Sequence, residues 1–352
     1  MTPALKGLAT RRAPPSISLA ERVASLPCPS PREIDEHLEQ LGYRGQRDAR
    51  RSISVLAWRH IRRLQRLHLK GASPSDLPDR DAYLLIGPTG CGKTHLIELI
   101  FSQVLQVPTV VVDITQFSET GYVGHDASSI LTRLVDAAGG DPAWAACGIV
   151  CLDEFDKIAG SVSSTRFAGA ETTKDVSGWG VQRSLLTLLS APTAEYAPDH
   201  GFAGRTRPEA LPLSGVTFIA CGAFSRLRGR RVHRRGLGFR APDLLPSRLA
   251  GATEPAVLEW YGFMPELLGR FTRLVELQPL GREELESILT NVLERHRSEL
   301  AAEGLELPLQ EEMVEGIIEG ALRRGYGARG LHLAVTRLVE DVIYDQVKGA
   351  NG

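Results

Sequence analysis

From Ile34 onward the apolar positions fall at helical spacing, and an amphipathic stretch from Arg47 to His68 predicts one long helix. It leads into a polar linker, Gly71 to Asp81, punctuated by Pro74 and Pro78. Five short apolar runs then read as strands: Ala82 to Ile86, Thr109 to Val112, Gly148 to Leu152, Val216 to Cys221 and Leu274 to Leu277. Helix-like segments separate the earlier runs, which predicts a parallel sheet. Past Gly281 the strands cease, and Leu331, Val335, Leu338, Val339, Val342 and Ile343 follow the i, i+4, i+7, i+8 spacing of a helix. Residues 1–31 are rich in Pro and Ser and lack periodicity, so they read as a flexible arm. The expected organisation is that arm, an α/β domain over 32–278 with a loop insertion at 226–256, and a smaller helical domain over 279–352.

Composition narrows the class. With 43% hydrophobic and 24% charged residues among 352, the chain has an ordinary globular balance and the length for two packed domains. Its formal net charge of −1 hides one asymmetry, since Arg226 to Arg240 carries seven arginines and no acid. Bulk charge therefore gives no reason to expect nucleic-acid or membrane binding. Cysteines 28, 91, 147, 151 and 221 form no CxxC pair, which argues against a zinc site or a disulfide framework. No apolar run approaches the ~20 residues of a membrane span, and the first 20 residues lack a secretory apolar stretch. Lys6, Arg11 and Arg12 without acids resemble an organellar transit peptide, but Pro3, Pro14 and Pro15 favour a disordered tail. A cytoplasmic, reduced setting is the expectation.

The candidate chemistry starts directly after the first strand. Gly87-Pro88-Thr89-Gly90-Cys91-Gly92-Lys93-Thr94 precedes His95 and the helical pattern of Leu96, Ile97, Leu99 and Ile100. Glycines let such a backbone curl so that its N–H groups and the helix N-terminus face phosphates. Lys93 would reach the β- and γ-phosphates of ATP, and the Thr94 hydroxyl would bind Mg²⁺. A glycine-rich turn that matches by chance is the plain alternative; a strand before and a helix after weigh against it. The third apolar run ends in Asp153 and Glu154, at the carboxyl edge where a parallel sheet places its ligand. Asp153 can hold Mg²⁺, and Glu154 can polarise the attacking water.

With GPTGCGKT and GIVCLDEFDKI stand GYVG, KDVSGWGVQ, LGF, GFMPELLGRF and GYGARGL, in order from Pro31 to Asp345. Together they resemble the ClpX-type AAA+ unfoldases of the Clp family. The resemblance implies an AAA+ P-loop NTPase fold, a five-stranded parallel sheet with a small α-helical C-terminal domain, and a homohexameric ring whose ATP sites lie between neighbours. It implies that Arg270 reaches the γ-phosphate held by the next subunit, and that Arg329 senses nucleotide within its own subunit. Gly42 to Gln46 is similar to the segment lining the adenine pocket, with Tyr43 and Arg44 where the family has aliphatic residues. Tyr122 and Val123 match the pore loop that grips unfolded or tagged protein substrates. Asp175 to Gln182 resembles a second pore loop, with Trp179 in place of an acid, and Gly204 to Pro208 keeps its positive charge in Arg205 and Arg207. Leu237, Gly238 and Phe239 are similar to the tripeptide that docks such rings onto a ClpP-like peptidase. Their alternative is a loop that tucks back onto the body.

Two departures stand out. Cys28 is the only cysteine ahead of the phosphate loop, so the family's four-cysteine zinc module is not expected. Cys221 stands where the family has a glycine. The missing zinc module and the altered pore-entry charges keep a second reading open, a remodelling chaperone that works without a peptidase. A nucleic-acid motor rests on the arginine run alone.

Overall fold

The computed structural model describes residues 17–117, 128–160, 178–198, 207–225, 227 and 254–347. Strands β1 (Ala82–Ile86), β2 (Thr109–Asp113), β3 (Ile149–Asp153), β6 (Thr217–Gly222) and β7 (Arg273–Glu276) form one sheet in the order β2-β3-β6-β1-β7. Every pairing within it is parallel. The five expected strands are these five, shifted at their ends by a residue or two.

The sheet is buried on both faces, which is why its strands read as continuous apolar runs. Leu84, Ile86, Val150, Leu152, Phe218 and Ala220 pack with α5 (Ser128–Ala137), α7 (Gly178–Ser190), α8 (Pro255–Tyr261) and α9 (Pro265–Leu268). Tyr83, Leu85, Ile149, Cys151, Ile219 and Cys221 pack with α1 (Leu19–Ser25), α2 (Pro31–Gln40), α3 (Arg47–His68) and α4 (Lys93–Ile97), which continues as a π-helical turn, Glu98–Val104. Beyond the sheet, α10 (Arg282–Ala302), α11 (Glu311–Arg324) and α12 (Gly327–Val347) build a separate core on Leu285, Leu289, Leu331 and Val335. Among the described residues no helix is long and apolar enough to cross a membrane.

Two expectations need correction. The stretch read as an arm contains α1, whose Ser18 and Glu21 cap its start reciprocally. Val23 drops from that helix into the core beside α3, and Arg22 pairs with Asp141 at 3.1 Å. A seven-residue helix is too short to show periodicity, so its cap was the only readable signal. The second correction is an antiparallel pair absent from the strand reading, β4 (Thr193–Tyr196) with β5 (Glu209–Pro212). Only Tyr196 and Leu211 of these eight residues are buried, leaving almost no apolar pattern. In addition, α8 begins at Pro255, inside the stretch read as an insertion, and the four-residue α6 (Pro142–Ala145) precedes β3.

Candidate nucleotide site

β1 lies between β6 and β7, so the loop that follows it emerges at the carboxyl edge one strand in from the end of the sheet. The strands hold its base, with the Gly87 N–H donating to the Gly222 carbonyl at 3.1 Å. Gly90 and Gly92 take φ of 75° and 96°, the left-handed region that a side chain disfavours. From this turn α4 starts at Lys93, whose buried Nζ donates to the carbonyls of Gly87 at 2.8 Å and Pro88 at 2.9 Å. The ammonium is therefore held inside the curl of the loop.

Two strands away, β3 delivers Asp153. The Thr94 hydroxyl donates to Asp153 Oδ2 at 2.8 Å, joining the two elements the sequence proposed as cation ligands. A hydroxyl beside a carboxylate is an oxygen donor pair suited to a hard cation such as Mg²⁺. Glu154 follows at φ 55°, and its N–H donates to Asp153 Oδ1 at 2.8 Å. The left-handed turn separates the two carboxylates, and both line the cavity. Next along, Asp156 is buried and accepts from the Ala223 N–H at 2.9 Å, tying the end of β3 to the end of β6.

The cavity has a volume of about 390 Å³ and lies between the sheet edge and the helical C-terminal region. Thr89 to His95, Asp153 and Glu154 form its floor. Arg329 and His332 of α12 and Ile288 of α10 form the opposite wall. Tyr43 closes one side, its hydroxyl donating to the Gly92 carbonyl at 3.3 Å and its ring tilted 6.2 Å from that of His95. Burial pushes the Tyr43 phenol well above its usual range, so it stays a neutral donor. Arg44 reaches across to Ser287 Oγ on α10 at 3.0 Å. Partial desolvation lowers the pKa of both His95 and His332, leaving each imidazole neutral near pH 7 with one donor and one acceptor.

Thr89 to His95, Asp153, Glu154 and Arg329 are thus brought together around the cavity, while Gly87 and Pro88 do not line it and instead accept from Lys93. Arg270 is not brought there: it is exposed, just past α9, and does not line this cavity. Tyr122, Val123, Leu237, Gly238 and Phe239 lie outside the described residues, as do 175–177 and 204–206. Trp179 is on the first turn of α7, 39% exposed, with its indole nitrogen against Gly160. Cys221 turns away from the cavity, with its Sγ 3.8 Å from that of Cys151 in the core under the sheet. The sequence reading missed His332, Glu98, Leu280 and Ile288 as cavity residues. His332 had a signal, three positions after Arg329 on one helix face; Leu280 and Ile288 had none, because only the tertiary fold carries them to the loop.

Comparison with known proteins agrees with this geometry. Residues 83–225 match the family model "ATPase family associated with various cellular activities (AAA)", and residues 280–350 match the "C-terminal, D2-small domain, of ClpB protein". Three relatives are each named ATP-dependent Clp protease ATP-binding subunit ClpX. That of Porphyromonas gingivalis is 33% identical over 336 residues, covering 91% of this chain and 79% of the relative. The Bacteroides thetaiotaomicron protein is 33% identical over 333 residues, covering 90% and 77%. The one from Treponema denticola is 31% identical over 339 residues, covering 91% and 79%.

This chain belongs to the ClpX family.

It is an ATPase, and the phosphate loop, β3 carboxylates and helical region seen here are the AAA architecture of that family. The expected fold class and the ClpX-like unfoldase role are borne out with it. Tyr43 and Arg44 both find partners at the site: one braces Gly92, the other bridges to α10.

Proposed function

We propose that this protein is the ATP-driven motor of a ClpX-like ring that unfolds protein substrates and threads them to a ClpP-like peptidase in the cytoplasm. The observation that carries the proposal is the Thr94–Asp153 contact beside Glu154, under a loop whose Lys93 is already folded inward. ATP would lie with its phosphates on Gly87 to Thr94 and its base toward Tyr43, His95 and Ile288. Thr94 and Asp153 would hold Mg²⁺, which supplies charge neutralisation across the phosphates. Glu154 would accept the proton of the attacking water, and Lys93 and Arg329 would hold the charge that develops on the transferring phosphoryl group.

An exposed Arg270 supports a role outside its own cavity. In a hexamer it would enter the neighbour's site, where a guanidinium supplies two parallel donors to the γ-phosphate. Tyr122 and Val123 would pull the polypeptide, and Leu237, Gly238 and Phe239 would dock the peptidase.

Glu154→Gln tests the chemistry. The carboxamide keeps the shape and removes the base, so turnover should fall by at least about 10²-fold while ATP binding persists. Unchanged turnover removes Glu154 from the mechanism. The same variant should retain protein substrates, and recovery of none by pull-down contradicts the unfolding role. Deleting 237–239 should abolish co-sedimentation with a ClpP-like peptidase and spare ATP hydrolysis.

A further inference from the structure

The first turn of α12 is pressed onto the phosphate loop, backbone against backbone. The Ala328 N–H donates to the Gly90 carbonyl at 3.0 Å. A Cβ placed on Gly327 would overlap the Gly90 carbonyl oxygen, and one on Gly90 would overlap the carbonyl oxygen of Tyr326. Gly327 also takes a left-handed φ of 53°. It therefore has neither the space nor the backbone conformation for a side chain.

Gly325, two residues earlier, makes the contrast. It ends α11 at φ 65°, the usual left-handed helix stop, and a Cβ there would meet nothing within 4 Å. One glycine terminates a helix; the other permits a contact between the helical region and the loop. Arg329 stands two residues beyond Gly327, in the same first turn, and lines the cavity. Because a helical turn is rigid, the seating of 327 and 328 on Gly90 determines where the Arg329 side chain starts.

We infer that Gly327 is a positioning residue: its lack of a side chain lets α12 seat on Gly90, and that seat sets Arg329 at the phosphates. The inference rests on the reading of Arg329 as a nucleotide contact. It adds a direct mechanical link, since any shift of the loop at Gly90 is felt by α12 through one hydrogen bond and one close backbone contact. The bridge from Arg44 to Ser287 lies on α10, a different helix from the one seated on Gly90.

The test is ATPase kinetics of the full chain carrying Gly327→Ala, Arg329→Ala, both together, or Gly325→Ala. Each of the first two should lower kcat/KM by about tenfold or more, the scale of one charge-assisted contact. The double variant should be no worse than the worse single, because a displaced Arg329 has nothing left to lose. Gly325→Ala carries similar backbone strain without the collision and should retain wild-type kinetics. Should thermal melting show that Gly327→Ala does not fold, Gly327→Asn takes its place, since Asn tolerates the left-handed region while keeping the colliding Cβ. Wild-type kcat/KM in a folded Gly327 variant, or losses that multiply in the double, overturn the positioning role and leave that of Arg329 standing. A silent Arg329→Ala overturns both.

Discussion

His60 is a fully buried imidazole on α3, and its two nitrogens are spent on structure. Nε2 faces the Cys147 carbonyl at 3.1 Å and must donate to it, so Nδ1 accepts from the Thr217 hydroxyl at 2.9 Å. Those bonds join α3 to the starts of β3 and β6. Burial lowers its pKa from an ordinary 6.5 to about 4, so the folded protein holds this ring neutral. Between those values the unfolded chain binds a proton that the folded chain does not. Stability is therefore full above about pH 6.5 and falls as pH drops toward 4, by about 3 kcal/mol for this residue. Denaturant melts of wild type and His60→Gln check it: the wild-type loss over that window should be visibly steeper, and equal slopes contradict the assignment. Residues of this kind were only half legible. The loop and the Asp153–Glu154 pair could be named because their order along the chain encodes their chemistry, whereas His60 reads as one more polar position in a helix.

At the scale of elements, Arg80 shows how a linker holds a helix in place. It sits just before β1, and its guanidinium donates to the carbonyls of Leu189 and Ala191 at the end of α7 and of Leu213 after β5. Helix ends leave their last carbonyls unpaired, so a positive donor there satisfies them and complements the helix dipole. The guanidinium also lies 5.7 Å from the Phe218 ring centroid. Arg80→Ala should destabilise by about 2–3 kcal/mol, read as a lowered midpoint in denaturant, because three acceptors in a part-buried site lose a charged donor at once. Arg80→Lys should recover only part of the loss, since an ammonium cannot span three carbonyls in one plane. The elements themselves were largely legible: strands buried on both faces announce themselves as apolar runs. The β4–β5 pair and α1 were not, since one is mostly exposed and the other is two turns long.

For the whole molecule, the cavity within the chain needs both the sheet edge and α10–α12. The proposed ring would add Arg270, exposed in this chain, from a neighbouring subunit. Arg270→Ala and Glu154→Gln should each be nearly inactive alone, the first lacking the donated guanidinium and the second its base. An equal mixture should regain ATPase activity, because some junctions then pair an intact Glu154 with an intact Arg270 from the next subunit. Activity that stays at the level of the separate variants contradicts a site between subunits. By itself the sequence determined the five strands of the parallel sheet, the phosphate loop, the β3 carboxylates and the family, all of which are local in the chain or carried by contiguous motifs. Tertiary structure alone decided that Thr94 meets Asp153, that Tyr43 braces Gly92, and that Gly327 lies on Gly90. The physical reason is distance along the chain. A motif fixes what a residue can do within a few positions of itself, but contacts between residues far apart in sequence exist only once the sheet edge and the helical region have packed together.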